Sequence, residues 1–140
     1  LIVPHCTYTD PEVASVGVIP HSLKKSGIAF DRFEFDLSDL DRSRADPAIK
    51  SRPVQHAEVY TQQGTDKILG ATIIGHDAGE LLAPICLMMS NGFGLSAAQK
   101  TIFSYPTRSE YLKRLGDAYN RGRMTPTVVK LFQWWLRRTL

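Results

Sequence analysis

The sequence predicts an α+β domain in which an antiparallel sheet of four or five strands packs against helices, with a C-terminal amphipathic helix appended. Two observations carry that class. Short alternating or β-branched runs fill the first half and capped helical patterns the second, without the strand-helix-strand alternation of a parallel sheet. Residues 54–61 and 68–74 form two strand patterns joined by Gln62-Gln63-Gly64-Thr65-Asp66, a turn of the right length for an antiparallel hairpin. With 140 residues, 43% of them apolar and 22% charged, the chain can bury one ordinary core without a disulfide or metal.

The elements follow in order. His5-Cys6-Thr7-Tyr8 and Val13-Ala14-Ser15-Val16-Gly17-Val18 read as short strands separated by the turn chemistry of Thr9-Asp10-Pro11-Glu12. Pro20 opens a short helix through Lys25, closed by Gly27 where a left-handed residue is usual. From Ile28 to Phe35 the apolar phase changes, with Ile28 and Phe30 on one face and Phe33 and Phe35 on the other, so a bulged or edge strand slipping at Asp31-Arg32 is expected. Residues 38–52 are polar and Pro-bounded, a connection with a helical turn. In the hairpin, Val54, His56, Glu58 and Tyr60 alternate with Gln55, Ala57, Val59 and Thr61, and Ile68 to Ile74 is apolar. Behind it, Asp77 with Glu80 three residues on reads as a capping box, followed by Leu81, Leu82, Ile85, Met88 and Met89 at helical spacing. Ser96-Ala97-Ala98-Gln99 and Thr107-Arg108-Ser109-Glu110 repeat the capping pattern, the second with Pro106 just before the cap.

Charge is unevenly spread. Residues 1–110 carry ten Lys+Arg against thirteen Asp+Glu, whereas residues 111–140 carry seven against one, so the net +3 hides an acidic body and a basic tail. A basic face over the folded body would be expected of a nucleic-acid binder, and none is read. Cys6 and Cys86 form no C-x-x-C pair, which favours a reducing, cytoplasmic setting. No apolar run approaches the length needed to span a bilayer. The opening Leu1-Ile2-Val3-Pro4 has neither a methionine nor a signal pattern, and reads as cut from something longer.

Few residues advertise chemistry unaided. Gly92-Phe93-Gly94-Leu95-Ser96-Ala97 satisfies the loose dinucleotide pattern, but it follows an apolar helix and precedes another cap, so a tight corner between helices is expected. His5, His21, His56 and His76 are scattered without ligand spacing, and no metal site is expected. Cys6 and Cys86 sit in apolar patterns where a free thiol acts as a small hydrophobe. Glu110 has a structural role open to it as the third residue of the box begun by Thr107.

Three segments together resemble the C-terminal domain of the pyridine nucleotide-disulfide oxidoreductases, the flavoprotein family of dihydrolipoamide dehydrogenase, glutathione reductase and mercuric reductase. Residues 6–17, Cys-Thr-Tyr-Thr-Asp-Pro-Glu-Val-Ala-Ser-Val-Gly, are similar to the family's T-x-P-E-[VI]-A-x-V-G. Residues 68–80, Ile-Leu-Gly-Ala-Thr-Ile-Ile-Gly-His-Asp-Ala-Gly-Glu, resemble its L-G-x-x-I-x-G-x-x-A-x-E. Residues 105–110, Tyr-Pro-Thr-Arg-Ser-Glu, match H-P-T-x-S-E except at the first position.

The resemblance implies a homodimerisation domain, residues 1–122, from an enzyme using FAD and NAD(P)H held elsewhere in a longer chain. Alone it would be inactive and bind neither cofactor. It further implies that the 105–110 segment completes the partner subunit's active site, with Tyr105 and Glu110 as catalytic candidates and Tyr105 and Pro106 near the cofactor. Where the family places an acid/base histidine, Tyr105 stands. An unperturbed phenol titrates roughly three units above imidazole, so Tyr105 is expected to donate a proton or hydrogen bond rather than serve as a resting base.

Residues 123–140 form a basic tail. From Thr125 onward Val128, Val129, Leu131, Phe132, Trp135 and Leu136 fill one half of a helix, opposite Lys130, Gln133 and Arg137, with Trp134 on the polar side. Two readings stay open: a helix docked on its own domain or across a dimer, and peripheral contact of residues 125–140 with an anionic membrane. The rival to an oxidoreductase domain is a non-catalytic interaction module whose tail binds membrane or nucleic acid.

Overall fold

In the computed structural model, which describes residues 1–51, 54–123 and 133–138, five antiparallel strands form one sheet: β1 (Pro4–Thr7), β2 (Glu12–Gly17), β3 (Phe30–Asp36), β4 (His56–Gln62) and β5 (Ile68–Gly75), in the order β1-β2-β5-β4-β3. The hairpin expected from the alternating runs is β4–β5 at the sheet's centre, with Ala57 opposite Ile73 and Val59 opposite Ala71. Its turn closes through Gln62 N–H to Lys67 O and Thr65 N–H to Gln62 O, with Gly64 at a φ of 74°. Helix α1 (Pro20–Lys25) lies in the connection from β2 to the far edge at β3, and Gly27 takes the left-handed conformation expected of it.

The edge position expected for the strand after Ile28 is observed, but the slip expected within it is not. Edge strand β3 pairs with β4 without a break from Phe30↔Gln62 to Asp36↔His56, so nothing slips at Asp31-Arg32. The change of phase arises because both faces of this edge carry aromatic rings: Phe30 meets Tyr60 edge-on at 6.0 Å, while Phe33 meets Tyr119 at 5.6 Å across the other face. The irregularity falls instead between β4 and β5, where Tyr60 faces Gly70 and Thr61 faces Ile68, leaving Leu69 as the extra residue. Its carbonyl accepts the Val18 N–H at 2.9 Å.

The polar connection after β3 is more helical than its sequence suggests. A 3₁₀ turn (Leu37–Asp39), α2 (Asp41–Ala45) and α3 (Pro47–Lys50) follow one another. Asp36 caps the turn through Ser38 N–H and Asp46 caps α3 through Ala48 N–H.

One sheet face is covered by α4 (Ala78–Ser90) and α6 (Tyr111–Gly122), and α5 (Leu95–Lys100) packs against α6. Ala14, Val16, Ala57, Val59, Ala71 and Ile73 face Leu81, Leu82, Ile85, Leu95, Leu112 and Leu115 in one buried cluster. The three expected capping boxes do not form, because each capping side chain is engaged elsewhere. Asp77 adopts the left-handed conformation at φ 53° and its carboxylate lies 3.5 Å from Arg108. Gly94, not Ser96, precedes α5, and the Ser96 hydroxyl bonds the Asp66 carboxylate at the hairpin tip. Thr107 turns its hydroxyl back to Ser104 O at 2.7 Å. The tail helix expected over residues 125–140 lies outside the described residues except at 133–138, which are helical.

Candidate functional site

The segment between α5 and α6 is an irregular loop fixed at several points. Thr101 Oγ1 donates to Ala97 O at 2.9 Å, and the Tyr105–Pro106 peptide bond is cis, as is Asp10–Pro11. Arg108, at the variable position of the Tyr-Pro-Thr-x-Ser-Glu pattern, has a side chain only 10% exposed. Its guanidinium donates to His76 O at 2.6 Å and to Gln55 Oε1 at 3.3 Å, and pairs with Asp77 at 3.5 Å. One fork therefore ties the loop to the end of β5 and to the residue leading into β4. Arg suits this place because its planar donors reach several acceptors at once.

On that anchored base Tyr105 projects outward, 69% exposed, and its hydroxyl donates to Asp41 Oδ2 at 2.6 Å. The bond to Asp41 and the carboxylate's charge hold the phenol above its ordinary value of 10; Glu110 adds in the same direction and Arg114 opposes it. Tyr105 is thus neutral at pH 7, with its single hydrogen engaged by Asp41 and acceptor capacity left over.

Glu110, the other sequence-derived candidate, is 13% exposed and pairs with Arg114 one turn along at 2.6 Å. Tyr105 is oriented by the hydrogen bond it donates to Asp41, while Glu110 acts on the phenol through its charge. Pro106 sits between them in the chain. Asp41 and Arg108 were not legible as site residues. The first lies in a polar connection without periodicity, and the second occupies a position the motif leaves free.

The fold also assembles a group the scattered histidines gave no hint of. On the sheet face away from α4 and α6, Glu34 is directly opposite Glu58 and His56 is two residues before it. Ligand atoms of Glu34, His56 and Glu58 lie within 4.8 Å of one another. Arg32 already bridges both carboxylates, at 2.8 Å from Glu34 and 2.6 Å from Glu58, so the protein itself offsets one of the two negative charges. Gly92-Phe93-Gly94 joins α4 to α5, as expected of a corner, and Gly94 packs against the Asp66 carboxylate. The strand-to-helix turn from β5 to α4, Gly75-His76-Asp77-Ala78-Gly79, lacks the G-x-G-x-x-G spacing of a dinucleotide loop. A surface cleft of about 360 Å³ between β3 and α6 is lined by Asp31, Arg32, Phe33, Tyr119 and Arg123, and none of the 105–110 loop reaches it.

Residues 3–115 match the family described as "Pyridine nucleotide-disulphide oxidoreductase, dimerisation domain". The chain belongs to that family. Among relatives, a dihydrolipoyl dehydrogenase of Trypanosoma brucei brucei is 36% identical over 112 residues, covering 80% of this chain and 22% of the relative. A mitochondrial one of Caenorhabditis elegans is 32% identical over 126 residues, covering 90% and 25%. Among solved structures, an HOCl-induced flavoprotein disulfide reductase from Escherichia coli, determined as a Cu(II) complex, superposes with a TM-score of 0.73 at 22% identity, covering 83% of this chain and 25% of that one. LpdA from Mycobacterium tuberculosis gives 0.74 at 20% identity, covering 84% and 25%. The dimerisation-domain chain thus spans about a quarter of the length of the relatives it matches.

Proposed function

We propose that this dimerisation domain pairs with a second copy of itself and lends its Tyr105–Glu110 loop to the active site of an FAD-dependent NAD(P)H oxidoreductase. The observation that carries this reading is the combination at Tyr105 of 69% exposure with a hydroxyl fixed by Asp41, on a loop whose base is clamped by Arg108. A side chain held in place yet open to the outside is suited to act on a group brought by another subunit. The family match and the relatives' names support the oxidoreductase class, and both cofactors would be held by parts of a longer protein. Exposed Leu87, Phe93 and Ile102 supply apolar surface for a partner.

At this position Tyr105 serves as a donor. To donate, the hydroxyl turns its single hydrogen from Asp41 toward the developing anion, and until then Asp41 and Glu110 keep the resting phenol protonated. Such a group suits either disulfide exchange run without an imidazole base, or a branch of the family with a different acceptor. The test is turnover of dihydrolipoamide, glutathione disulfide and Hg(II) by the longer protein carrying Tyr105→Phe or Tyr105→His. A positioned proton donor contributes roughly a hundredfold or more, so Tyr105→Phe is expected to lose about that much kcat. Unchanged rates would remove Tyr105 from the chemistry. Sedimentation equilibrium of the 140-residue chain checks the pairing, and a monomer at all concentrations would show that this domain does not dimerise alone.

A further inference from the structure

We propose that the tryptophan- and arginine-bearing end of the chain, residues 133–138, is a docking surface for an anionic phospholipid bilayer. These residues are helical, and their large apolar side chains face water: Trp134 is 51%, Trp135 54% and Leu136 46% exposed. Leaving two indoles and a leucine half in water over three consecutive positions is costly unless something apolar covers them. The Arg138 guanidinium lies over the Trp134 ring at 4.2 Å from its centre, so a cation is held directly against one of the two indoles. Indole beside guanidinium is the side-chain chemistry of a headgroup boundary, where a flat amphipathic ring and a positive charge are both satisfied.

Charge identifies the lipid as anionic. No Asp or Glu follows Asp117, whereas Arg121, Arg123, Lys130, Arg137 and Arg138 do. Subtracting these five from the net +3 leaves −2 for residues 1–117. An anionic surface therefore attracts the tail while mildly repelling the body, which orients the domain tail-down. The contact is peripheral: no helix among the described residues is long and apolar enough to cross a membrane. A duplex nucleic acid would take up the positive charge but leave the indoles and leucine wet. The surface is independent of the Tyr105 loop, and it makes the dimerisation domain a peripheral membrane contact as well.

Trp134 and Trp135 are the only tryptophans in the chain, so intrinsic indole fluorescence reports on this surface alone. The experiment adds vesicles of phosphatidylcholine, with and without phosphatidylglycerol, to the whole chain at low and high NaCl, and follows emission wavelength and co-sedimentation. Expected is a blue shift with co-sedimentation on the phosphatidylglycerol vesicles only, reversed by salt as the charges are screened. Arg137→Gln with Arg138→Gln is expected to weaken partitioning about thirtyfold, taking the typical contribution of two basic residues at an anionic surface. Trp134→Ser with Trp135→Ser, read by co-sedimentation, is expected to abolish it. Far-ultraviolet circular dichroism should be unchanged in both, because the altered side chains are exposed. No shift on either vesicle, or equal binding to both, overturns the proposal. So does a shift with single-stranded DNA but not vesicles, or a concentration-dependent shift without vesicles that tracks self-association.

Discussion

Tyr105 donates its phenolic hydrogen to Asp41 at 2.6 Å, joining residues 64 positions apart and giving the loop between α5 and α6 a partner in the connection after β3. The bond favours the protonated phenol, and with a raised pKa in the folded state its stabilisation is present below the unfolded value of 10 and lost as pH rises through the higher folded value. Asp41→Asn should therefore bring the Tyr105 titration down toward 10. Carbon-13 NMR of the tyrosine Cζ, assigned with Tyr105→Phe, reads it directly. A titration unmoved by Asp41→Asn would show that the carboxylate does not set the phenol's proton affinity.

Removing the Arg108 fork should loosen the same loop. Arg108→Ala strands His76 O and Gln55 Oε1 in a part-buried place and takes the cation from Asp77. A loss of about 2–3 kcal/mol in urea unfolding is expected. Arg108→Lys should recover only part of it, since one ammonium cannot span acceptors on separate elements. Full rescue by lysine would mean that charge alone matters there.

Gly116 in α6 packs against the backbone of α5, where an added Cβ would come 2.6 Å from Gln99 N. On an exposed helix, Gly→Ala would stabilise by roughly 1 kcal/mol. Here the helices must separate, and the net expectation for Gly116→Ala is a loss of about 1–2 kcal/mol. A rise in melting temperature would contradict that close approach.

Tyr111 is fully buried and its hydroxyl donates to Leu81 O at 2.5 Å, linking α6 to α4. Burial pushes its pKa far above the ordinary phenol value, so it is neutral at pH 7. Tyr111→Phe should cost about 1 kcal/mol by chemical denaturation, with the circular dichroism spectrum kept. A loss several times larger would point to repacking of the helical layer.

What the sequence disclosed follows from the range of the forces involved. The β4–β5 hairpin and α4 were legible because alternation and helical spacing are local, and the three motifs identified the family because their order and spacing are distinctive. The capping boxes misled because Asp77, Ser96 and Thr107 each had another partner: Arg108 and Asp66 come from distant segments, and Ser104 O lies within a loop without periodicity. Phe30 and Phe33 simulated a slipped strand because an edge strand can bury aromatic rings on both faces. At the candidate site, Tyr105 and Glu110 came from the motif, whereas Asp41 could be found only once the fold had folded the polar connection back beside the loop.

The strand order has a consequence for how the domain is made. β2 is flanked by β1 and β5, with Glu12 opposite Gly75 and Gly17 opposite Gly70. During synthesis β1 and β2 emerge first and can pair at once, but the other side of β2 stays open until β3, the helical connection, β4 and β5 have all been translated. A nascent chain paused before residue 75 therefore carries an unsatisfied strand edge with Val13 and Val16 on it until β5 arrives to cover it.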